Sequence, residues 1–156
     1  MSSKRLSILQ AIETKLATIT TGAGYNNTLA KTSYGFIDLG RIVEYPVVSL
    51  ISSEANYIPM TNTEYTSGSG INSTDGWDIA IIGYCQSSKE EEYLTIAMEN
   101  LIEDIVKCIL LDHTLGLSYV QNAYLKGVDS IIDIENALGA VVIMISVKYD
   151  FGKSAP

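Results

Sequence analysis

Residues 140–151 alternate: Val141, Ile143, Ile145, Val147, Tyr149 and Phe151 fall on one side of an extended chain, and Ser146, Lys148 and Asp150 on the other. Successive side chains of a strand point to opposite faces, so this segment buries one face and wets the other. The rest of the chain must supply an apolar cover. Residues 88–112 provide one, because Leu94, Ala97, Leu101, Ile105 and Cys108 make a helical stripe that Met98, Ile102, Val106 and Ile109 widen. Ser88-Lys89-Glu90-Glu91 fits the capping box that opens a helix, and Glu90, Glu91 and Glu92 suit the positive end of its dipole. The periodicity persists to about Asp112, and Gly116 ends it. Helix on sheet is the expected architecture.

The remaining elements fill in around this pair. Leu6, Leu9, Ile12, Leu16 and Ile19 recur at steps of three and four, which predicts an amphipathic helix over Ser3–Thr20, capped by Ser2 or Ser3 and stopped at Gly22-Ala23-Gly24. Residues 25–33 read as a polar connection. The run Tyr45-Pro46-Val47-Val48-Ser49-Leu50-Ile51 predicts a strand starting just after the proline, and a weaker strand falls at Tyr34–Leu39. Asn56–Thr66 and Trp77–Gln86 read as a hairpin whose connection, Ser67–Gly76, exceeds the usual 2–5 residues and should be flexible and exposed. Ser118–Val128 alternates moderately and reads as a strand, and Asp129–Leu138 is an acidic segment ending at Gly139. The order α-β-β-β-α-β-β predicts an α+β fold. Its mostly antiparallel or mixed sheet has about five or six strands and two main helices on one face, in a single domain over residues 1–156.

Ten Lys+Arg against 18 Asp+Glu give a formal charge of −8, which disfavours a broad grip on nucleic-acid phosphates. No apolar run approaches the ~20 residues that span a bilayer, and Met1–Gln10 lacks the uninterrupted apolar stretch of a secretory signal. Cys85 and Cys108 fall in a predicted strand and helix, as small buried thiols of a reducing setting.

Catalytic spacing is lacking. His113 is the sole histidine and reads as a helix C-terminal residue; Ser67-Gly68-Ser69-Gly70 is not a nucleophile elbow; Gly22-Ala23-Gly24 has Asn27 where a dinucleotide loop needs glycine. Glu99, Glu103, Asp104 and Asp112 read as a solvated helical face, with Lys107 placed to pair with Glu103. Ten tyrosines against two phenylalanines and one tryptophan suit half-wet strand positions, with an interface as the second reading. The expectation is a non-enzymatic protein with no cofactor and no metal.

The chain resembles the tail terminator, or tail completion, proteins of long-tailed bacteriophages, a family typified by the lambda minor tail protein U. The residues carrying the resemblance are the opening helix around Leu6-Ser7-Ile8-Leu9-Gln10-Ala11-Ile12, the strand start Tyr45-Pro46-Val47-Val48, the acidic-capped helix from Ser88, and the closing strand Ala140–Tyr149. The resemblance implies a structural virion protein, assembled in the host cytoplasm, that forms a hexameric ring. That ring caps the tail tube and meets a neck or connector protein on its other face. DNA passes through without specific binding, and no membrane is involved. The loop residues Ser67, Gly68, Ser69, Gly70, Ile71, Asn72, Ser73 and Thr74 are the expected partner-binding segment, ordering on contact. The alternatives are a head-side neck or adaptor protein of the same virion and, behind it, a small cytosolic enzyme.

Overall fold

The computed structural model describes residues 3–35, 37–57 and 74–150. Helix α1 (Lys4–Leu16) is followed by strands β1 (Lys31–Tyr34), β2 (Val47–Tyr57) and β3 (Thr74–Gln86), helix α2 (Glu91–Leu110), and strands β4 (Val120–Asp133) and β5 (Leu138–Tyr149). The five strands form one mixed sheet in the order β1-β2-β3-β5-β4, with only β1 and β2 parallel. The α+β class and the element order agree with the sequence reading.

Register sorts the side chains. Trp77, Ile79, Ile81, Gly83 and Cys85 of β3 stand opposite Val147, Ile145, Ile143, Val141 and Gly139 of β5, so these positions share one face. That face and the buried residues of α1 (Ile8, Ile12, Leu16) and α2 (Met98, Leu101, Ile105, Cys108, Ile109) form one core cluster. Gly83 makes the close approach possible: a Cβ there would stand 2.8 Å from Leu101 Cδ2 and 3.0 Å from Val141 Cγ2. Ser146, placed by alternation on the wet face, is nonetheless buried. Phe151 lies outside the described residues.

Several expected boundaries move, each for a local reason. Ser3 caps α1 as expected, its hydroxyl accepting from Leu6 N at 3.0 Å. The helix ends at Leu16, ahead of the glycines, because the threonines that follow take backbone groups for themselves. Thr18 Oγ1 donates to Lys15 O at 2.6 Å, and Thr20 caps the short 3₁₀ turn Thr21–Ala23. Gly24, at φ +94°, then reverses the chain. The weak strand lies at Lys31–Tyr34 instead of Tyr34–Leu39; Gly35 at φ +77° ends it, and Leu39–Arg41 is a 3₁₀ turn.

β2 begins at Val47, directly after the cis Tyr45–Pro46 bond, and runs on to Tyr57, with register shifts after Ser52 and after Asn56. It is therefore β2 itself that pairs with β3, and the proposed separate strand at Asn56–Thr66 is corrected for residues 56–57. The remainder of that stretch lies outside the described residues. The Ser88 capping box does not form: the N-cap is Glu90, without a side-chain cap. Ser87 N donates to Ala137 O at 3.2 Å, which holds the approach to α2 against the β4–β5 turn. β4 continues to Asp133, so the acidic stretch Asp129–Leu138 is mostly strand and a short turn, and β4–β5 is a hairpin. No described helix is long and apolar enough to cross a membrane.

Candidate functional site

Helix α2 places Asp104 three residues after Leu101 and four before Cys108, inside its apolar stripe. The carboxylate is accordingly 1% exposed, which corrects its assignment to a solvated face. Its Oδ1 accepts from Asn26 N at 2.8 Å, and its Oδ2 accepts from Asn27 N at 2.8 Å and Asn27 Nδ2 at 2.9 Å. Both oxygens are thus committed to pinning the 25–29 connection onto α2. Lys107 Nζ lies 5.1 Å from the Tyr25 ring centroid in the same lock, and no Glu103–Lys107 ion pair forms among the described residues. Burial, with a hydrogen bond that the phenol donates to Cys108 behind it, pushes Tyr25 up from its usual range. This cluster is architecture.

Replacing Asp104 with asparagine lowers stability by about 1.5–3 kcal/mol, because an amide facing those N–H groups keeps one acceptor and adds a donor. Glu103→Gln on the exposed side changes it by about 0.5 kcal/mol or less. Urea unfolding of the two variants checks the contrast.

The other candidate groups do not converge. Glu99 and Glu103 are exposed, and Asp112 Oδ1 accepts from Thr114 N at 3.0 Å and Thr114 Oγ1 at 2.7 Å, which lowers its carboxyl from the usual range. His113 is exposed beyond the helix end and uses its carbonyl to accept from Ala123 N at 2.7 Å. Cys85 and Cys108 are free and buried, with burial pushing the Cys85 thiol up to about 11. Among the described residues, no group of three His, Cys, Asp or Glu is arranged to hold a metal.

The surface features concentrate at the two ends of the sheet. At one end β1 borders an open groove of about 600 Å³, lined by Lys31, Tyr34, Ile37, Ile42, Val43 and Val47 among others. A second hollow of about 260 Å³, lined in part by Leu6, Leu9, Tyr34 and Leu50, lies between α1 and the same strand. At the other end β4 is buried at Val120 and Ala123 and largely exposed from Tyr124 onward. Its exposed residues include Tyr124, Leu125, Val128 and Ile131, the last 63% exposed. Among the described residues, no strand pairs with the outer side of β1 or of β4.

Of the expected partner-binding segment, Ser67, Gly68, Ser69, Gly70, Ile71, Asn72 and Ser73 lie outside the described residues. Thr74 is corrected from loop to strand: it opens β3 and pairs with Tyr57. The strand expected at Ser118–Val128 runs on past a bulge between Leu125 and Gly127 to Asp133, and its place at the edge of the sheet had no mark in the sequence.

No protein-family model and no curated protein matches this chain.

Proposed function

We propose that the chain is a structural virion protein, a tail terminator that closes into a ring, caps the tail tube and joins the tail to the neck. The observation that carries the reading is the layered sheet with helices on one face and, among the described residues, an edge strand at each end with no further strand beside it, an arrangement suited to head-to-tail association. Heterologous contacts of that kind form closed rings when their rotation closes. The negative balance of the chain supports the reading as well, since a ring of like-charged copies lets DNA slide through without adhering. Nothing in this task requires chemistry: the chain works through surfaces.

The reading is tested on tube growth. Adding the purified chain to polymerising tail-tube protein of the same virion arrests elongation and leaves a disc at one end of each tube in electron micrographs. Tubes of unchanged length, with the chain left in the supernatant, contradict it.

A further inference from the structure

We propose that the free edge of β4 in one copy pairs antiparallel with the free edge of β1 in the next, making one sheet continuous across neighbouring copies. The proposal rests on the ring reading and names its contact. Past Ala123, whose N–H is taken by His113 O, no strand among the described residues pairs with the outer side of β4. Backbone groups of this kind on a long apolar edge are a template for another strand.

Register decides which strand suits it. Val128 is opposite Ile143, on the helix side of the sheet, while Asp129 and Ile131 are opposite Val142 and Ala140, on the other side. Apolar residues therefore emerge on both faces of β4, and a partner lying on a single face would leave half of them wet. The β1 edge has a hollow on each face: the larger groove beside Lys31 and Val47, the smaller beside Leu6, Leu9 and Leu50, with Tyr34 lining both.

Charge makes the same choice. Lys31 is the only charged side chain of β1, and it makes no ion pair among the described residues. Beyond the bulge, β4 carries only Asp129 and Asp133, and both lie on the face that Lys31 shares through its partner Val47. Two β1 edges have only lysine to offer each other and two β4 edges, beyond the bulge, only aspartate, so an attractive cross-strand pair there needs one edge of each kind. An antiparallel register with Tyr34 opposite Val128 keeps every pair on matching faces and sets Lys31 between the two aspartates.

The test follows the assembly of the full chain against concentration by sedimentation. Lys31→Glu raises the half-assembly concentration about fivefold, as expected for turning one attractive cross-strand pair repulsive. Adding Asp129→Lys to it restores assembly, and Ile131→Lys abolishes assembly while leaving the thermal midpoint of the single copy unchanged. Rings that form normally with Lys31→Glu overturn the edge pairing and leave the ring reading standing, as does loss with Ile131→Lys alone, which points to β4 meeting its own kind or another protein. A wild-type chain that never associates overturns both.

Discussion

Trp77→Ala lowers the unfolding free energy by about 3–5 kcal/mol, the range for deleting a fully buried indole. Trp77 is 0% exposed and stands on the helix face of β3 opposite Val147. Its ring meets Tyr149 edge-on, with centroids 6.0 Å apart, and Arg5 Cζ of α1 sits 4.3 Å from its centroid. The residue therefore joins the first helix, the centre of the sheet and the closing strand, and the void left by alanine adjoins elements too well fixed to collapse into it. For a chain of this length the thermal midpoint falls by roughly 6–20 °C. Trp77→Phe loses far less, because the indole Nε1 has no hydrogen-bond partner among the described residues and its removal relieves an unsatisfied donor. Calorimetry of the two variants separates packing from the polar cost. Equal losses would mean that the N–H is paired.

Leu101→Ala costs about 2–5 kcal/mol, toward the upper end, since Leu101 covers Gly83 and no side chain there can fill the space. The glycine provides a control. Gly83→Ala alone overpacks the same point and costs about 1–3 kcal/mol, yet in the Leu101→Ala background its methyl occupies the vacancy, so the two changes together cost less than their sum. Glu99→Ala on the exposed face shifts stability by about 0.5 kcal/mol or less. Denaturant titration of the four variants reads all of these terms, and additive losses would place Leu101 away from Gly83.

Where one face of an element is committed to the core, its sequence discloses it. The alternation of Val141, Ile143, Ile145 and Val147 and the stripe of Leu94, Leu101 and Ile105, all buried, identify the two layers and their contact, because burial leaves a period in the sequence. Boundaries were less legible, since they depend on contacts between distant residues. The Ser88 box fails because Ser87 is bonded to Ala137, fifty residues on, and α1 ends early through threonine hydroxyls that bind nearby carbonyls and amides. Asp104 was readable, standing as it does between Leu101 and Cys108 in the stripe, but grouping it with Glu99 and Glu103 by charge concealed its position. The two sheet edges were hidden for a different reason. Strand order is a property of topology, and no local pattern announces that the short β1 and the bulged β4 end up, among the described residues, with no further strand beside them.

The proposed association into a closed ring through those edges is measured directly by the mass of the intact assembly in solution. Native mass spectrometry across a range of concentrations should show one dominant closed species, at six times the 16.9 kDa of a single copy, with no ladder of larger multiples. A single copy at every concentration, or an open series that grows without limit, would contradict it.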